Sequence, residues 1–155
     1  MVEPEHVPPR CEFEMDKLVI KLDETLRSDV SVIESAIVRI MRLIKEAQCW
    51  ADTDSIDLAL REALVNAIVH GNRSDPRKAV RICVALQQDC GMLIVVKDAG
   101  SGFDPNQLPN PVVGENLLAT HGRGIFLINQ LMDDVRISFD RGTSIYMRRR
   151  GARKS

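Results

Sequence analysis

Between residues 29 and 49 the apolar side chains Val32, Ile33, Ala36, Ile37, Ile40, Leu43, Ile44 and Ala47 return at steps of three and four. That spacing lines one face of an α-helix. A stripe so continuous is stable only against another apolar layer, so the rest of the chain has to supply one. A second helical stretch covers 55–69, with Thr53 or Asp54 placed to cap its open N–H groups and Gly71 placed to end it. A third is expected from near Gly122 to Met132. The opposing layer comes from runs with a different period. Residues 17–22 alternate polar with apolar and read as a short strand. Runs 79–87 and 92–97 are apolar and β-branched on either side of a short polar turn, and 134–140 and 143–149 flank Arg141 and Gly142 in the same way. Both pairs read as hairpins.

The order β, α, α, β, β, loop, α, β, β predicts an α+β fold. It is a two-layer α/β sandwich whose mixed, mostly antiparallel sheet is covered on one face by three helices. The other face is left wet or set against a partner. At 155 residues, 45% of them hydrophobic, the chain makes a single domain over 1–155. Residues 1–16, polar and marked by prolines, form a loose arm or an edge strand. Residues 99–120 hold Gly100, Gly102, Pro105, Pro109, Pro111 and Gly114, so they cannot be regular; a loop of this length is either a functional lid or disordered.

Arg148, Arg149, Arg150, Arg153 and Lys154 crowd the last eight residues, although the formal net charge is only −1. We read 150–155 as a solvated basic tail rather than a nucleic-acid patch. With one Trp, one Tyr and four Phe there is little to stack on bases, so no direct nucleic-acid partner is expected. The N-terminus lacks the basic start and apolar run of a signal peptide, and no stretch reaches membrane-spanning length. A cytoplasmic protein follows as an expectation, and with it reduced thiols. Cys11, Cys49, Cys83 and Cys90 lack the paired spacing of a zinc site and are expected to be mostly buried.

Three short motifs carry the chemistry. Glu62, Asn66 and His70 stand at four-residue steps along one edge of the second helix, beside the stripe of Ile56, Leu60, Ala63, Leu64 and Ala67. Mg²⁺ takes hard oxygen ligands and few protein groups, so the Asn66 amide oxygen suits it. Glu62, one turn earlier, can deprotonate a hydroxyl or a water. The same pattern also fits an ordinary helix with a surface Glu and a satisfied His. Asp98 opens the second motif (98–104, DAGSGFD) at the end of a strand containing Ile94, Val95 and Val96. A carboxylate there can accept from an exocyclic amine such as that of adenine, while Gly100 and Gly102 let the backbone approach a flat ring. The third motif (121–124, HGRG) leads into a helix. Its glycines leave N–H groups open to phosphate, with Arg123 adding donors. Thr143 can reach a base or simply serve its strand.

In this order, with the long loop between the second and third, the motifs resemble the GHKL ATPase superfamily over roughly 54–149. Residues 62–72 (EALVNAIVHGN) look like its N box, and 98–104 and 121–124 like its two glycine boxes. The resemblance implies a Bergerat-type sandwich that uses ATP and Mg²⁺, with Asn66 on the metal, Asp98 on adenine and 99–120 as the ATP lid. It implies further nucleotide contacts from His70, Gly100, Gly102, Phe103, Gly122, Arg123, Gly124 and Thr143. The small size and the HGN ending are most similar to bacterial anti-sigma-factor serine/threonine kinases. That similarity implies a homodimer that sequesters a sigma factor and phosphorylates a serine of a STAS-type anti-anti-sigma protein, with Glu62 as catalytic base. Two other functions fit the same motifs. One is a non-catalytic, nucleotide-dependent partner-switching module; the other is the detached ATP-binding domain of a two-component histidine kinase, against which counts the lack of a phosphoacceptor helix.

Overall fold

The computed structural model describes residues 18–50, 52–87, 89–100, 123–139 and 141–151. The arm over 1–16, residues 101–120 of the lid, His121, Gly122 and residues 152–155 of the tail lie outside this set. In chain order the elements are β1 (Leu18–Arg27), a 3₁₀ turn (Val30–Val32), α1 (Ile33–Glu46), α2 (Asp54–Val65), a π-helical segment (Asn66–Gly71), β2 (Ala79–Gln87), β3 (Met92–Lys97), α3 (Arg123–Leu131), β4 (Asp134–Ser138) and β5 (Ser144–Arg149). The strands form one sheet in the order β1-β2-β3-β5-β4. All of its described ladders are antiparallel.

Alternation along the strands decides which face the helices cover. Val80, Ile82, Val84 and Leu86 of β2, Met92, Ile94 and Val96 of β3, and Ile145 and Met147 of β5 are all buried. The register sets Ile82 beside Val96 and Val96 beside Ile145, so these side chains make one continuous apolar floor. On it sit Ile37, Ile40 and Ile44 of α1, Ile56, Leu60 and Leu64 of α2, and Ile125 and Ile128 of α3. Each fully buried Ile or Leu contributes about 1.5–3 kcal/mol. The three-helix layer predicted from periodicity is thus present, with the core between the two layers.

Some local features differ from the sequence reading. β1 runs to Arg27, past the expected end at Leu22, because Asp23 and Thr25 keep alternating while pairing with β2. On the uncovered face Arg81 grips both carboxylate oxygens of Asp23, at 2.9 and 2.6 Å. The open start of α2 is served by Asp52, whose carboxylate accepts the Asp54 N–H at 2.9 Å, and Thr53 makes no side-chain cap. The expectation of reduced thiols fails for one pair. Cys49, just past α1, and Cys90, in the β2–β3 turn, form a disulfide with their Cα atoms 5.4 Å apart. The two lie 41 residues apart in sequence and meet only because α1 ends over that turn. Among the described residues Cys83 takes part in no disulfide and is half-buried, and Cys11 lies outside the described set. No helix among the described residues is long and apolar enough to cross a membrane.

Candidate functional site

Asp98 follows β3 directly and is only 4% exposed. Its Oδ1 accepts the N–H of Gly100 at 2.9 Å and of Thr143 at 3.0 Å, while its own N–H donates to the Thr143 carbonyl at 3.0 Å. Burial is the largest influence on this carboxyl and pushes its pKa above the ordinary value, against the pull of the two N–H donors and of Lys78 and Lys97. Oδ2 faces the α-carbon of Gly71, where a side chain would overlap it. The carboxylate is therefore held by backbone on one oxygen and directed by it on the other.

Gly142 makes this grip possible. Its φ is +113°, a region closed to most L-residues, and a Cβ there would run into the Asp98 carbonyl. Gly142→Ala is expected to cost about 1–3 kcal/mol of stability by this strain. It should also loosen Asp98, since the next residue supplies the Thr143 N–H. Denaturant unfolding measures the first effect, and an unchanged midpoint would show that the turn adapts freely.

A second group assembles on the α2 edge. The Asn66 Nδ2 donates to the Glu62 backbone carbonyl at 3.1 Å. With the amino group used in this way, Oδ1 is the amide's hard acceptor. Both side chains are half-buried. Gly124, in the first turn of α3, lies directly against them: a Cβ there would stand 2.9 Å from Asn66 Nδ2 and 3.0 Å from Glu62 Oε2. The opening N–H groups of a helix have no partner within it, and its dipole favours anions at that end. A carboxylate, a side-chain amide and the first described turn of α3 thus converge.

The π-helical segment joins the two groups. It begins at Asn66 and ends at Gly71, and the Asn72 N–H closes a wide turn onto the Ala67 carbonyl at 2.8 Å. Such widenings often occur at functional sites. This one interrupts the regular four-residue step on which His70 was expected to share an edge with Asn66. His70 is exposed, and no described hydrogen bond ties it to either group. Of the other predicted contacts, Gly100, Gly124 and Thr143 stand in the site. Gly102, Phe103, Gly122 and the Arg123 side chain lie outside the described residues.

The sequence reading took Asn72 only as the last residue of the 62–72 motif and gave it no role of its own. It is fully buried; its Oδ1 accepts the Ala99 N–H at 2.8 Å and its Nδ2 donates to the Ala79 carbonyl at 3.0 Å. The signal present was an Asn straight after a helix-ending Gly, which reads as a terminus and nothing more.

Comparison with known proteins gives a family and a fold. The histidine kinase-like ATPase domain family matches residues 24–149. The serine-protein kinase RsbW of Bacillus cereus is 32% identical over 104 residues, which cover 63% of this chain and 64% of that protein. RsbW of Bacillus thuringiensis matches to the same extent. The chain therefore spans about 64% of the length of these curated relatives. Among solved structures, the RsbU and RsbW domains of a Mycobacterium tuberculosis protein superpose with a TM-score of 0.62 at 18% identity, covering 88% of this chain and 34% of that one. The SiaB–SiaC complex from Pseudomonas aeruginosa gives a TM-score of 0.59 at 12% identity, covering 90% and 94%. At these identities the two structures speak for the fold.

Proposed function

The chain belongs to the histidine kinase-like ATPase domain family, and from that premise we propose that it is an ATP-binding protein serine/threonine kinase of the anti-sigma-factor type. The observation that carries this reading is the Glu62–Asn66 edge: a carboxylate beside a side-chain amide, set against the first described turn of α3.

Asp98 accepts from the exocyclic amine of adenine, while the opening N–H groups of α3 receive the phosphates. Asn66 suits Mg²⁺, since one hard oxygen beside substrate phosphates is the donor set this ion accepts. Asn66 Oδ1 would hold it, and the ion would supply neutralisation of phosphate charge. Glu62 is placed to take the proton of a serine hydroxyl. The serine oxygen then bonds to the γ-phosphorus as the bond to the β–γ bridging oxygen breaks, and ADP leaves with that electron pair. Transfer of this kind asks mainly for positioning and charge neutralisation.

The relatives are named as serine-protein kinases, and the SiaB–SiaC structure is by title a complex. The kinase name supports a protein serine as the phosphate acceptor, and the resemblance of the motifs adds a STAS-type anti-anti-sigma protein as the carrier of that serine, a sigma factor as second partner, a homodimer and a cytoplasmic setting. Incubation with labelled ATP, Mg²⁺ and a cognate anti-anti-sigma protein should label a serine of that protein. Glu62→Gln should cut transfer by about 10²- to 10⁴-fold, the usual worth of a general base, and leave ATP affinity near the wild-type value. Asn66→Ala should remove the Mg²⁺ dependence of ATP binding. Wild-type transfer by the Glu62 variant would remove Glu62 as the base, and no labelled serine with the wild type itself would turn the reading to a non-catalytic partner-switching module.

A further inference from the structure

We infer that Asn72 is a positioning residue for nucleotide recognition: its side chain clamps the start of the glycine loop and so sets the aim of Asp98. The inference rests on the ATP-site reading above and adds to it a residue that touches neither the nucleotide nor the metal.

Asn72 has no exposed surface. Its amide bridges two backbone groups far from it in sequence, the N–H of Ala99 and the carbonyl of Ala79. Its own backbone is fixed as well, by its N–H on the Ala67 carbonyl at 2.8 Å and by its carbonyl receiving the Asp75 N–H at 3.1 Å. One residue thus ties together the end of the π-helical segment, the first residue of β2 and the first residue of the glycine loop.

The consequence falls on Asp98. The peptide unit joining Asp98 to Ala99 is held on its N–H by Asn72, and the preceding N–H of Asp98 is held by the Thr143 carbonyl. With the backbone pinned on both sides, the Asp98 side chain keeps one orientation before any ligand arrives. Pre-ordering of this kind raises affinity because the ordering cost is met before binding. Asn suits the position for a specific reason. It must accept from one backbone group and donate to another at the same moment, and an amide does both with fixed geometry. Leu has a similar shape and can do neither. Asp, as a carboxylate, keeps the acceptor for Ala99 and gives up the donor to Ala79.

The test uses the whole chain and two readouts. Amide exchange of the nucleotide-free wild type should show the Ala99 N–H strongly protected, and exchange at the rate of an open loop would overturn the clamp, whatever any variant does. ATP and GTP affinities are then compared in the wild type, Asn72→Leu and Asn72→Asp. The ratio of the two affinities is the deciding quantity, because a role confined to stability moves both together. Asn72→Leu should lower the preference for ATP over GTP by about 10-fold or more, the worth of one charge-assisted hydrogen bond. Asn72→Asp should keep most of that preference while losing stability. A folded Leu variant with the wild-type ratio would overturn the positioning role. If the Leu variant does not fold, the Asp variant decides together with the exchange data, and loss of preference in Asp despite a protected Ala99 N–H would overturn it. A wild type that itself shows no preference for ATP would instead sink the ATP reading.

Discussion

Asp98→Asn is expected to weaken ATP binding by about 10- to 100-fold, the loss that follows from removing a charge-assisted bond worth about 1.5–3 kcal/mol. The geometry makes the change selective. Oδ1 takes the Gly100 and Thr143 N–H groups, so an Asn keeps its oxygen there and turns its amino group to the place of Oδ2, facing Gly71. A donor then meets the amine of adenine, whereas the carbonyl of guanine gains a partner. The preference for ATP over GTP should fall or reverse.

Stability should move in the opposite direction. Burial raises the Asp98 pKa in the folded state, so its stabilising contribution is complete below the unfolded pKa and is lost as pH rises through the folded one. At neutral pH the ionised carboxylate weighs on the fold, and the amide carries no such charge. Unfolding of the two proteins at several pH values should show the variant gaining on the wild type as pH rises. Equal affinities for ATP and GTP in the wild type, left unaltered in the variant, would remove Asp98 from the binding site.

What the sequence made legible was whatever local periodicity or chain order decides. The stripe from Val32 to Ala47 gave α1, the apolar runs gave both hairpins, and the spacing of Glu62 and Asn66 gave an edge that survives because α2 is regular that far. What stayed hidden depends on contacts between distant segments. A π-turn has the residue pattern of an α-helix and differs only in which carbonyl an N–H reaches, so the change of helix type over Asn66–Gly71 left no local trace. Asn72 acquires its role from Ala99 and Ala79, neither within its own element. Gly142 reads as a hairpin turn, and its closeness to the Asp98 carbonyl follows from the pairing of β3 with β5. In each case tertiary packing chose among options that the local sequence left equal.

The second large effect concerns the Cys49–Cys90 disulfide. A cross-link between residues 41 apart restricts the unfolded chain, and loop-closure entropy alone gives roughly 4 kcal/mol. For a chain of this size each kcal/mol shifts the unfolding midpoint by about 2–4 °C, so reduction should lower it by about 8–15 °C. Trp50, the only tryptophan, follows Cys49 directly and is half-buried, so its emission reports the event. Cys49→Ser with Cys90→Ser should unfold at the reduced midpoint and respond no further to reductant, although Cys83 is still present. ATP affinity should hold in the folded reduced protein, because Cys90 precedes β3 and Asp98 follows it, at opposite ends of the strand. Disulfides are rare where thiols are kept reduced. In the cytoplasmic setting proposed above, the domain would therefore work in its reduced form, and the oxidised form would be the more robust state. An unfolding midpoint indifferent to reductant would mean that Cys49 and Cys90 are not cross-linked in the folded protein.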